Sequence, residues 1–187
     1  VLKFGGSSLA NPARFRDVAD ISSHYAADTP VMLVLSAPQG VTNDLVALVS
    51  AAQQGGDWQA ALDSLQARFE ALIIDADPAL PEYERHALLQ AARDQVQVLA
   101  DYAKGIALLQ HCPDPVQARM LGTGEQFSVA LMTASLKARG LDAGALDATR
   151  LVKSQGDYLN ASADIPATIA AFTERKAQGL PRISVMA

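Results

Sequence analysis

Four short apolar runs, each separated from the next by helical patterning, constrain this chain more than any other feature. They lie at residues 1–5, 31–35, 141–146 and 182–187. The run Val31–Leu35 is apolar at all five positions, the pattern of a strand covered on both faces. Between the runs, Asn11 and Pro12 read as an N-cap and first helical residue, with Phe15, Val18, Ile21 and Tyr25 as the apolar stripe. Residues 41–54 form a second helix, ended by Gly55-Gly56. Residues 124–139 form a third, with Val129, Met132 and Leu136 on one face and Gly140 as its stop. Asp164, followed by Pro166, opens a fourth that runs to Gly179. Strands joined through helices call for a mainly parallel sheet, so the expected fold is an α/β three-layer sandwich.

Residues 57–121 interrupt that rhythm, with no strand candidate from 57 to 102. Leu62, Leu65, Phe69 and Leu72 make one helical stripe; Leu88, Ala92, Val96, Leu99 and Ala103 make another. A helical hairpin inserted into the sheet domain is expected, turning at Pro78 and Pro81, and serving as a prop rather than a lid. With 187 residues, one domain carrying an insert suits the length. Half of the residues are hydrophobic and the formal charge is −5. That balance argues against nucleic acid as a partner and offers no polybasic membrane patch. The longest apolar runs fall far short of the ~20 residues that span a bilayer. A single cysteine, Cys112, rules out an internal disulfide and fits a reducing, cytoplasmic setting.

Three segments carry candidate chemistry. In Lys3-Phe4-Gly5-Gly6-Ser7-Ser8, paired glycines at a strand end let amides approach an anion, and Lys3 adds a mobile positive charge. An ordinary strand-to-helix turn is the bland alternative; a lysine inside an apolar strand favours phosphate. The segment Ser36-Ala37-Pro38-Gln39-Gly40-Val41-Thr42-Asn43 ends a strand and opens a helix, where amides and dipole favour anions. Thr42 or Asn43 could equally be a plain N-cap. Gly122-Thr123-Gly124-Glu125 opens another helix, and Glu125 either complements the dipole or receives an ammonium group. Position 7 is Ser and position 10 is Ala, which breaks a dinucleotide fingerprint, and no Gly-Lys pair exists for a Walker loop. His24, His86 and His111 lack ligand spacing, so no metal site is expected. Asp147 reads either as a site residue or as a loop cap.

Together the three segments resemble the amino acid kinase family and, within it, the aspartokinases. The opening resembles the Lys-Phe-Gly-Gly-Thr/Ser-Ser signature, with Ser7 at the Thr/Ser position. Val34-Leu35-Ser36-Ala37 with Gly40-Val41-Thr42-Asn43 resembles the second segment, and Gly124-Glu125 with Ser128 the third. From Gly105 through Cys112-Pro113-Asp114 to Asp147, the chain looks most like the threonine-regulated bifunctional aspartokinase–homoserine dehydrogenases.

The resemblance implies transfer of a phosphoryl group from MgATP to the side-chain carboxylate of L-aspartate, the first step toward lysine, threonine and methionine. It implies that Lys3 neutralises the transferring group and that Gly5, Gly6 and Ser7 cradle the ATP phosphates. Ser36, Thr42 and Glu125 would hold aspartate, with Mg2+ carried mainly by the nucleotide. Aspartokinases carry a further Arg-Gly-Gly-Ser-Asp-like segment and nucleotide-binding residues that do not occur here. Residues 1–187 are therefore expected to be the amino-acid-binding portion of a longer kinase, inactive alone and homo-oligomeric. NADP would belong only to a dehydrogenase domain outside these residues. The alternatives are a kinase for glutamate, acetylglutamate or a nucleotide, and a non-catalytic amino-acid-binding module.

Overall fold

A computed structural model describes all of residues 1–187. Its main sheet has four parallel strands: β1 (Leu2–Phe4), β2 (Val31–Leu35), β3 (Ala143–Ala145) and β6 (Ile183–Met186). They lie in the order β1-β2-β6-β3, so the last strand inserts between the second and the third. Val31 pairs with Ile183 and Val34 with Met186 across that junction. Two dipeptide strands, β4 (Ser154–Gln155) and β5 (Ser162–Ala163), form a separate antiparallel ribbon. The α/β sandwich expected from the alternation of strands and helices is what forms.

Helix α1 (Pro12–Asp28) starts at Asn11, whose side chain accepts from the Arg14 amide at 3.0 Å. Its buried stripe is Phe15, Val18, Ala19, Ser22 and Ala26. Ile21 and Tyr25, expected to be buried, stand 41% and 51% exposed. Small residues at 19, 22 and 26 let this helix approach its neighbours closely, and the larger apolar pair faces outward. Helix α2 (Val41–Gln54) ends at Gly55, whose φ of 70° explains the glycine there.

The inserted hairpin consists of α3 (Trp58–Ile74) and α4 (Glu82–Leu109), followed by α5 (Asp114–Leu121) and α6 (Thr123–Ala138). Leu62, Leu65, Phe69, Val96, Leu99 and Ala103 join the same apolar cluster as Leu33, Leu35 and Val185 of the sheet. The hairpin is thus continuous with the core. Phe69 of α3 stacks on Phe127 of α6, with ring centroids 4.2 Å apart and planes 11° apart. Arg139 fixes the hairpin's turn from the end of α6: its Nε lies 2.5 Å from the buried Asp77, and its Nη1 donates to Asp20 of α1.

The opposite sheet face is more thinly covered. Met32, Val34 and Met186 meet Leu146, Leu151, Phe172 and Leu180, using α7 (Ala148–Leu151) and α8 (Ile165–Ala177). No residue of α8 is fully buried. Asp164 caps this helix through the Ala167 amide at 3.0 Å. Asp147 caps α7 through the Thr149 amide and hydroxyl, at 3.0 and 2.6 Å, which makes it a cap.

Candidate active site

The three candidate segments meet at one residue, Ala37. A Cβ placed on Gly6 would stand 3.0 Å from the Ala37 carbonyl oxygen and 3.4 Å from Gln39 Cα. One placed on Gly124 would stand 2.6 Å from Ala37 Cβ and 2.8 Å from Val41 Cγ1. The first turn, the loop after β2 and the start of α6 therefore lie in direct contact. Glycine is needed at both positions for close approach, while neither has a positive φ.

The first turn runs from β1 into a short 3-10 helix, Gly6–Leu9. The Ser8 amide donates to Gly5 O at 2.9 Å, but the Gly5, Gly6 and Ser7 amides find no acceptor in the protein. A Cβ on Gly5 would meet nothing within 4 Å. Three successive free amides around an open position are suited to an anion. Lys3 is exposed on the edge strand β1, with no ion-pair or hydrogen-bond partner for its side chain in the protein. Leu2 and Phe4 pack against the main core, so alternation puts Lys3 on the other face, in register with Val34.

In the second segment, the Ser36 amide donates to Phe4 O at 3.1 Å, tying the tips of β1 and β2. Gly40, with φ 86°, is the N-cap of α2 and supplies no side-chain cap. Thr42 and Asn43 are exposed first-turn residues and not caps, so the bland alternative for them falls away. Their amides find no acceptor in the protein. Arg68 of α3, which the sequence did not single out, clasps this loop. Its Nη1 donates to Gln39 O at 3.1 Å. Its Nη2 lies 3.1 Å from Asp44 Oδ2, an ion pair by distance that is not aligned as a hydrogen bond.

In the third segment, Glu125 sits in the first turn of α6. Its Oε2 is buried and has no hydrogen-bond partner, and the same holds for Ser128 Oγ one turn on. A buried carboxylate oxygen without a donor is costly unless something supplies one. No group of three or more His, Cys, Asp or Glu side chains stands close enough to hold a metal ion. Cys112 is a free, buried thiol whose pKa burial pushes up. No helix is long and apolar enough to cross a membrane.

Residues 1–178 match the amino acid kinase family, and the chain belongs to it. Among curated relatives, it is 27% identical over 166 residues to the bifunctional aspartokinase/homoserine dehydrogenase of Buchnera aphidicola. It is 30% identical over 168 residues to the enzyme of that name from Haemophilus influenzae. Each alignment covers 88% of this chain and 20% of the relative, so the chain spans about one fifth of their length. The fold is shared with Escherichia coli aspartokinase III, solved in complex with aspartate and ADP: the TM-score is 0.80, at 24% identity, over 98% of this chain and 39% of that one.

Proposed function

We propose that this chain is the amino-acid-binding portion of an aspartate kinase. The reaction moves the γ-phosphoryl group of MgATP to the side-chain carboxylate of L-aspartate. The bond from phosphorus to the β,γ-bridging oxygen breaks, a carboxylate oxygen–phosphorus bond forms, and ADP leaves with 4-phospho-L-aspartate as the other product. One observation carries this reading: the convergence on Ala37 of an open amide cradle and a helix start whose Glu125 carboxylate oxygen is buried without a donor.

Each residue then has a part in this reading. Free amides at Gly5, Gly6 and Ser7 donate to the terminal phosphates, and Gly5 leaves room for them. Lys3, a cation with no protein partner, offsets charge on the phosphoryl group in transit. Ser36 and Thr42 line the acceptor side, and the Glu125 carboxylate takes the aspartate ammonium as its missing donor. Phosphoryl transfer calls for positioning and charge stabilisation, which such a set supplies without a protein nucleophile. Mg2+ would supply further charge neutralisation, arriving with the nucleotide.

Residues holding adenine, ribose and the remaining phosphate contacts belong, in this reading, to a portion outside these residues, so residues 1–187 alone do not turn over. NADP would concern only a dehydrogenase portion, as the relatives' names suggest. The working protein would be cytoplasmic and homo-oligomeric. The test is ADP release by the full-length protein, with aspartate, glutamate and acetylglutamate as acceptors. Aspartate-dependent release supports the proposal. Release with only another acceptor, or binding of aspartate without turnover, overturns it.

A further inference from the structure

We infer that Arg68, on the inserted hairpin, is a positioning residue that shapes the acceptor loop of the proposed aspartate site. The inference rests on the reading just given and adds to it the residue that holds Gln39 to Asp44 in place.

The argument starts from one guanidinium and two partners. Its planar fork reaches Gln39 O on one side of Gly40 and Asp44 Oδ2 on the other, each at 3.1 Å. Gly40 makes this clasp possible. Its φ of 86° turns the loop, and a Cβ there would stand 3.1 Å from Arg68 Nη1.

The consequence falls on the α2 amides. In an α-helix the Asn43 amide would bond to the carbonyl four residues back, that of Gln39. That carbonyl is instead held by Arg68, and the Asn43 amide is left without an acceptor. With Gly40 at φ 86° ending the helix there, Arg68 holds the Gln39 carbonyl in its non-helical place, and so keeps the Asn43 amide available to an acidic substrate. Because α3 also carries Phe69, which stacks on Phe127 two residues beyond Glu125, the hairpin braces both the loop and the Glu125 helix. Arg68 and Asp44 are 42% and 33% exposed, and an exposed pair adds little to stability. Their grip on the loop is the larger effect.

The experiment is steady-state kinetics of the full-length protein and its Arg68→Ala and Arg68→Lys variants. Arg68→Ala is expected to raise the aspartate KM roughly tenfold as the loop loses its clasp, with kcat and the ATP KM within about twofold and an unchanged melting temperature. Arg68→Lys, which keeps the charge but cannot span both partners, falls between the two. An unchanged aspartate KM in Arg68→Ala, against an active wild type, overturns the Arg68 assignment alone. So does a KM rise accompanied by a melting shift of several degrees, or full rescue by lysine, which would make charge and not geometry the cause. An inactive wild type overturns the proposed function and this inference with it.

Discussion

Gly124 and Ala37 lie so close that a single methyl group on the glycine would stand 2.6 Å from the alanine Cβ. A second contact, to Val41 Cγ1 at 2.8 Å, crowds the same methyl. Gly124→Ala is therefore expected to destabilise the fold by about 1–3 kcal/mol, the usual cost of overpacking. Thermal denaturation measures it. Gly5→Ala is the contrast, because its Cβ meets nothing within 4 Å. That variant should melt like the wild type yet bind ATP more weakly, since the methyl group enters the space assigned to phosphate.

Lys3 is exposed and has no partner to lose. Lys3→Ala in the full-length protein should leave the melting temperature alone while lowering kcat by at least ~100-fold, the effect of removing one preorganised charge-stabilising group. Near-normal turnover would remove Lys3 from the catalytic set.

Glu125 carries a buried oxygen that no protein group satisfies. Glu125→Gln removes the charge at constant shape, so the empty protein should be no less stable. Aspartate binding should weaken roughly 10- to 100-fold, as for a lost hydrogen bond to a charged group. Titration calorimetry with aspartate reports it, and equal affinity in the two proteins would exclude the ammonium contact.

Phe69 ties the inserted hairpin to the Glu125 helix through its stack on Phe127. Phe69→Ala empties a fully buried site and should cost about 3–5 kcal/mol. Amide hydrogen exchange should show α3 and α6 loosening together. Loosening confined to α3 would mean that the stack does not couple them.

Asp164 caps α8, and hydrogen bonds from the Ala167 amide and the Gln155 side chain hold its carboxyl below the ordinary carboxylate value. A lowered folded pKa means that the unfolded chain binds the proton first as pH falls. The stabilisation is present above the ordinary value, near 4, and is lost as pH drops through the folded value. Asp147 follows the same rule, its carboxyl lowered chiefly by the Thr149 hydroxyl. Asp164→Asn should show a shallower loss of melting temperature between about pH 5 and 2 than the wild type.

Much of this architecture could be read in the residues because its signals are local. Asn11, Asp164, Gly55 and Gly140 mark helix ends within one turn of where they act, and β2 declares itself by composition. The three site segments were likewise visible as short motifs. What escaped is what depends on distant partners or on very short elements. The β4–β5 ribbon has two residues per strand, too few to show an alternating pattern. The stripe on α1 was read from its largest apolar residues, whereas packing selected Ala19, Ser22 and Ala26. The Arg139 ion pairs join residues 62 and 119 positions apart, and the Arg68 contact to Gln39 spans 29. No periodicity reports pairings of that kind.

The place of β6 in the sheet has a kinetic corollary. A nascent chain has made β1 and β2 long before it makes the strand that pairs with the free side of β2, about 150 residues later. Until Ile183–Met186 leave the ribosome, one rim of β2 stays bare and β3 has no strand beside it. Sheet closure is thus deferred to the end of this stretch of synthesis, and such distant pairings make for slow, aggregation-exposed folding. The helices between, with their own continuous apolar seam, can consolidate while the sheet waits for its central member.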